Sequence, residues 1–166
     1  MSHRDQGILI VDDDSNDVLL LQRAIRRTRL TVALHFAKDG EEAVDYLSGQ
    51  GEYGDRDRHP LPALVLLDLK MPRKSGLEVL AWIRHQPALK RLIVVMLTSS
   101  NQRSDVNQAY NSGANSYLVK PASFESLIEL VKNVDLYWLV LNQGPEVGNG
   151  GCSPGTGGME IGCETE

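Results

Sequence analysis

The sequence predicts an α/β fold, a doubly wound sheet of five parallel strands with helices on both faces. Two observations carry this. Five apolar runs of four to seven residues alternate with longer stretches of helical periodicity. Three of those runs are continuously apolar, as strands covered on both faces must be. The length of 166 residues suits one such domain.

The first strand, residues 7–11, leads into Asp12, Asp13 and Asp14 and then a helix over 15–29. The second, 32–36, alternates through Ala33 and His35 and reads as an edge strand; a helix over 40–48 follows. Residues 49–62 are rich in Gly, Asp, Arg and Pro and exceed the usual connection of ~2–6 residues, so they read as a surface insertion. The third strand spans 63–67, and its helix, 75–86, stops at Pro87. The fourth strand covers 92–98, with a helix over 102–112 ended by Gly113. The fifth, 116–119, is short and mixed, a second edge strand, and a last helix runs over 123–141.

Beyond residue 141 the periodicity disappears. Residues 142–166 hold 8 of the 15 glycines, Cys152, Cys163, four Glu and no Lys or Arg. The expected organisation is a folded domain over 1–141 and an acidic, disordered tail over 142–166. The tail carries most of the net charge of −5, leaving the body with 17 basic and 18 acidic groups and no field to attract nucleic acid or anionic lipid. Its apolar runs are far shorter than the ~18 residues of a membrane span, and no signal peptide is apparent, so a soluble, cytoplasmic protein is expected. The two thiols fit neither zinc spacing nor a redox motif. His3, His35, His59 and His85 are scattered and read as surface residues.

Chemistry gathers at the strand ends. In an open parallel sheet the side chains just past the carboxyl ends converge. The first strand there delivers Asp12 to Asp14, the third Asp68, the fourth Thr98 and the fifth Lys120. Clustered carboxylates repel unless a cation neutralises them, and Mg2+ takes oxygen ligands with a phosphate oxygen as a common partner. Asp68 beside such an ion could accept a phosphoryl group as an acyl phosphate, with Lys120 neutralising another oxygen.

The chain resembles the receiver domains of two-component response regulators over residues 7–141. The match rests on Ile8-Leu-Ile-Val-Asp-Asp-Asp14, Leu66-Leu-Asp-Leu-Lys-Met-Pro72 with Gly76, Met96-Leu-Thr-Ser99 and Ser116-Tyr-Leu-Val-Lys-Pro121. The resemblance implies a flavodoxin-like sheet of strand order 2-1-3-4-5 and phosphorylation of Asp68 by a histidine kinase. It implies Mg2+ held by Asp13, by Asp12 through water, by Asp68 and by the backbone carbonyl of Lys70. It further implies that Lys120 contacts the phosphoryl group, Thr98 hydrogen-bonds it on activation, Tyr117 changes rotamer, and Lys120–Pro121 is cis. Gln50-Gly-Glu-Tyr53, Leu64-Val-Leu-Leu-Asp-Leu69 and Tyr137-Trp-Leu139 look like the regulators that partner bacterial phytochromes.

Lys70 should stand at the mouth of the site and tune acyl-phosphate lifetime, and the small Ser99 leaves the phosphoryl group reachable by a partner. On the last helix, Phe124, Leu127, Ile128, Val131, Val134 and Trp138 supply a packing face. Leu130, Val134, Tyr137 and Leu141 follow i, i+4, i+7, i+11 as a second apolar stripe, expected to form a homodimer through the fourth helix, fifth strand and fifth helix.

Plainer readings exist for single residues. Asp12 to Asp14 would also suit helix capping, Thr98 a β-strand, and Lys120 a solvated strand end. Asp68 after five apolar residues is harder to explain so, since a strand-end carboxylate in low dielectric is costly without a partner. The expected function is a stand-alone receiver whose only enzymology is phosphoryl acceptance and hydrolysis on itself. The rivals are a phosphatase or phosphotransferase, for which no cap domain is visible, and an FMN carrier, whose phosphate the acids after the first strand would repel. A third is a degenerate receiver acting as a phosphorylation-independent binding module.

Overall fold

The computed structural model describes residues 6–148. Five parallel strands, β1 (Ile8–Val11), β2 (Leu34–Ala37), β3 (Leu64–Leu67), β4 (Ile93–Thr98) and β5 (Ser116–Val119), form one sheet in the order β2-β1-β3-β4-β5. The helices are α1 (Ser15–Arg27), α2 (Gly40–Ser48), α3 (Gly76–His85), α4 (Arg103–Asn111) and α5 (Phe124–Val134).

Alternation along the strands divides the core in two. Leu9 and Val11 of β1, with Val65, Leu67, Val94 and Met96, face α2, α3 and α4. Ile8 and Ile10, with Leu64, Leu66, Ile93, Val95 and Leu97, face α1 and α5. The three central strands are buried throughout, whereas β2 and β5 are mostly half-buried, which explains their mixed sequences. The second strand starts at Leu34 rather than Val32 because Leu34 is the residue in register with Ile8.

Local signals set most helix starts. Asp14, Asp39 and Ser123 accept backbone N–H bonds at the starts of α1, α2 and α5, and Ser75 and Glu78 form a reciprocal capping box on α3. The end of α2 is closed twice. Gly49 adopts the left-handed φ of 72° that favours glycine, and the Arg56 guanidinium donates to the carbonyls of Tyr46 (2.8 Å) and Leu47 (2.9 Å). The insertion is therefore anchored: it holds a 3-10 turn, Gly51–Gly54, and its Pro60 carbonyl accepts from the buried Tyr46 hydroxyl at 2.9 Å.

Two expectations at the end of the domain change, one for the last helix and one for the start of the tail. After Val134 the last helix widens into a π-helix, Asp135–Leu141, in which the Asn142 N–H reaches back to the Tyr137 carbonyl. The wider turn ends the 3.6-residue phase: Leu139 is buried while Leu136, Tyr137, Val140 and Leu141 are exposed. Residues 142–148 then run back to the far end of the sheet, where Val147 packs on the core and the Gly148 N–H donates to the Ala88 carbonyl at 2.8 Å. The rest of the expected tail, with Cys152 and Cys163, lies outside the described residues, as does His3.

The histidine reading is corrected. His35 and His59 are half-buried in an aromatic cluster with Tyr46 and Tyr53, with ring centroids 5.0–5.8 Å apart. The insertion brings these side chains together, which alternation along one strand does not reveal. His85 is exposed as expected. No helix among the described residues is long and apolar enough to cross a membrane.

Candidate functional site

Strand register delivers the site. The Asp68 N–H bonds the Val11 carbonyl, the Asp12 N–H the Ala37 carbonyl and the Lys120 N–H the Thr98 carbonyl, so the ladders continue one residue past each strand and fix where the polar residues begin. Gly76 holds the same corner from below. A Cβ there would lie 2.1 Å from the Asp68 carbonyl oxygen, so only glycine lets α3 start this close to the strand end.

Asp13, Asp14, Asp17, Asp68, Lys70, Thr98 and Lys120 line one cleft of about 470 Å3, together with Ser99 and the start of the β4–α4 loop. Asp12 and Asp68 are each 8% exposed, and Thr98 is 2% exposed, while Asp13 is open to solvent. The Lys120 ammonium bridges the acids: it donates to Asp12 Oδ2 and Asp17 Oδ2, both at 2.8 Å, and lies 3.5 Å from Asp68 Oδ2. Burial pushes the Asp12 carboxyl above its usual range, and the Lys120 contact only partly offsets it. Burial would lower the Lys120 pKa, but the bonds to Asp12 and Asp17 and the nearby Asp68 hold it above its ordinary value.

Carboxylate oxygens of Asp12, Asp13 and Asp68 all lie within 4.8 Å of one another. Three hard oxygen donors at this separation, one solvent-facing, fit an octahedral divalent cation that keeps some of its waters. Lys70 follows two residues after Asp68 and lines the same cleft; its ammonium is 3.8 Å from Asp105 of α4 and largely exposed. Ser99 is exposed in the cleft.

The Thr98 hydroxyl accepts from the Ser100 N–H at 3.4 Å, and the Tyr117 hydroxyl donates to the Ser100 carbonyl at 2.9 Å. Burial raises the Tyr117 pKa, keeping that donor protonated. Among the described residues no peptide bond is cis, so the Lys120–Pro121 expectation is corrected to trans, the form an X–Pro bond prefers by about 0.5–1 kcal/mol.

Of the second stripe on the last helix, Val134 is 7% exposed and belongs to the core, Leu130 is half-buried, and Tyr137 and Leu141 are 57% and 64% exposed. Leu118, Leu130, Val134, Tyr137 and Trp138 border a groove of about 720 Å3 beside β5.

Sequence reasoning missed two contributors. Asp17 was an anonymous acid in the first turn of α1, where the helix dipole accounts for it, yet it reaches Lys120. Arg73 and Asp39 form an ion pair that ties the β3–α3 connection to the start of α2. Their separation of 34 residues hides it from any local pattern.

The sequence profile of the response regulator receiver domain matches residues 8–132. The chain is 41% identical over 138 residues to the probable methanogenesis regulatory protein FilR2 of Methanothrix harundinacea, covering 83% of this chain and 86% of that one. It is 39% identical over 132 residues to the response regulator Rcp1 of Synechocystis, covering 80% and 88%. The crystal structure of the phosphorylated cyanobacterial phytochrome response regulator RcpA superposes with a TM-score of 0.79 at 35% identity, covering 86% of this chain and 99% of that one. That of the Mn2+-bound form of Rcp1 gives 0.72 at 37% identity, covering 84% and 99%. The chain belongs to the response regulator receiver family and is related to phytochrome response regulators.

Proposed function

We propose that this receiver takes a phosphoryl group onto Asp68 from the phosphohistidine of a sensor kinase and signals through protein contact or onward phosphorelay. One observation carries the reading: a nearly buried carboxylate at the end of a central strand, 3.5 Å from Lys120 and within reach of two further carboxylates. An Asp68 oxygen attacks phosphorus as the P–N bond breaks, and the leaving imidazole nitrogen keeps the electron pair and takes up a proton. Hydrolysis reverses the loading: water attacks phosphorus, the O–P bond breaks, and the carboxylate returns with release of inorganic phosphate.

Asp12, Asp13 and Asp68, with the Lys70 carbonyl, would hold Mg2+. When bound, the ion supplies neutralisation of the phosphoryl oxygens. Lys120 neutralises a further oxygen from the β5 side. Thr98 gives its hydroxyl hydrogen to the loaded group, drawing the β4–α4 loop inward. Tyr117, already bonded to Ser100 of that loop, then changes rotamer. The change reaches the face of α4, β5 and α5, where Tyr137 and Leu141, with Leu130 and Val134 beneath them, form a homodimer contact. Loading needs to favour the active form by only a few kcal/mol for this to act as a switch.

The kinase is of the phytochrome class, the protein acts in the cytoplasm, and it has no substrate beyond the phosphodonor. The relation to Rcp1 and RcpA supports that pathway. Full-length protein incubated with Mg2+ and acetyl phosphate should gain one phosphoryl mass that survives acid and is lost in base, and Asp68→Asn should abolish it. A folded wild-type protein that gains none, with acetyl phosphate or with a phytochrome kinase, would refute the reading.

A further inference from the structure

An ammonium has three N–H donors, and in the resting protein Lys120 directs two of them to Asp12 and Asp17 at 2.8 Å. Asp68 receives only the long contact of 3.5 Å. The third donor reaches Asp68 only at that length, so drawing the ammonium to hydrogen-bond distance of a phosphoryl oxygen there pulls against the two short bonds. The two are not equivalent. The Asp12 side chain is 8% exposed, so releasing it would strand a buried carboxylate. The Asp17 side chain is 35% exposed and sits in the first turn of α1, where water and the helix dipole can take over its charge.

We propose that Asp17 is a positioning residue that holds Lys120 away from the phosphoacceptor until Asp68 is loaded, when a phosphoryl oxygen replaces the Asp17 carboxylate as its partner. The proposal rests on the reading of Asp68 as phosphoacceptor. Asp17 is thus a resting-state competitor: it contributes to the unloaded form and nothing to the loaded one, and it sets the equilibrium between them. Its partial exposure limits the effect to that of a half-solvated ion pair.

The test is a titration of full-length protein with beryllofluoride, an acyl-phosphate mimic, in saturating Mg2+. It follows affinity by calorimetry and the Lys120 side-chain 15Nζ signal by NMR. Asp17→Asn should bind the mimic about two- to fivefold tighter than wild type. The Lys120 signal of the unloaded variant should move toward its position in loaded wild type. Asp14→Asn is the control. It removes one charge from the same cleft, keeps an acceptor for the Asn16 N–H, and its side chain makes no bond to Lys120, so any gain it shows reports the lost charge alone and should be smaller than that of Asp17→Asn. Unchanged or weaker binding by Asp17→Asn, an equal gain in Asp14→Asn, or an unmoved Lys120 signal overturns the proposal while wild-type binding leaves the phosphoacceptor reading standing. A wild-type protein that takes up no beryllofluoride overturns both.

Discussion

The Arg73–Asp39 pair offers an asymmetric test of what holds the β3–α3 connection in place. Arg73 occupies a left-handed φ of 65°, unusual for a residue with a side chain, and the Lys74 N–H closes a tight turn onto the Pro72 carbonyl at 2.8 Å. The Arg73 guanidinium bonds Asp39, whose side chain is 5% exposed against 60% for the arginine. Arg73→Ala strands the buried acid, whereas Asp39→Asn releases the arginine into water. Removing one partner of a fully buried pair costs about 3–5 kcal/mol; with this guanidinium more than half in solvent, about 2 kcal/mol is expected for Arg73→Ala. Asp39→Asn keeps an oxygen for the Glu42 N–H, 2.8 Å away, and Asn caps helices about as well as Asp, so its cost should be about 0.5 kcal/mol. The double variant should resemble Asp39→Asn alone, a coupling of about 1.5–2 kcal/mol. Urea unfolding followed by circular dichroism, with m-values compared across the cycle, measures all three. Equal costs for the two single variants, or a double variant that sums them, would refute the reasoning.

Other outcomes follow from the same geometry. Lys70→Asn should shorten the acyl-phosphate lifetime about two- to fivefold, because it removes an exposed cation from the mouth of the cleft; an unchanged autodephosphorylation rate rules that role out. Tyr137→Asp should weaken homodimerisation by about 30-fold, the ~2 kcal/mol of an interface anchor. Sedimentation giving the same monomer mass for both proteins, with and without beryllofluoride, would exclude the contact. Burial, reinforced by His59, lowers the His35 pKa below its ordinary 6.5. The unfolded chain then binds a proton that the folded one resists, so stability is full above about pH 6.5 and declines as pH falls below it. His35→Phe should flatten that decline in urea titrations between pH 7 and 5, and an unchanged slope would show that His35 does not titrate against the fold.

How much of this could be read from the chain depends on the range of the interaction. Three unbroken apolar runs could only be central strands, and the mixed residues of 32–36 and 116–119 marked the edges because only there is one strand flank unpaired. Asp12, Asp68, Thr98 and Lys120 were legible as a group because each directly follows or ends a strand, so convergence comes from topology rather than side-chain detail. Asp17 was not, because an acid at that helical position already has a local explanation. The π-helix after Val134 was hidden for a related reason: Asp135 to Leu141 has good helical periodicity, and Leu139, not Tyr137 or Leu141, ends up against the core. Arg56 and the aromatic cluster around Tyr46 depend on a loop folding back on a helix, which composition describes only as an insertion.

The return of the chain beneath the sheet has a practical side. Gly148 is hydrogen-bonded to Ala88, and its α-carbon faces Leu61; these neighbours belong to the connections that enter β4 and β3. The polypeptide therefore leaves the described domain at the amino ends of the strands, a full strand length from Asp68. A fluorophore or affinity handle attached at that point would stand at the opposite pole from the Asp68 cleft. For an optical reporter of the loaded state it is accordingly the wrong pole, and for immobilising the protein on a sensor surface it is the right one.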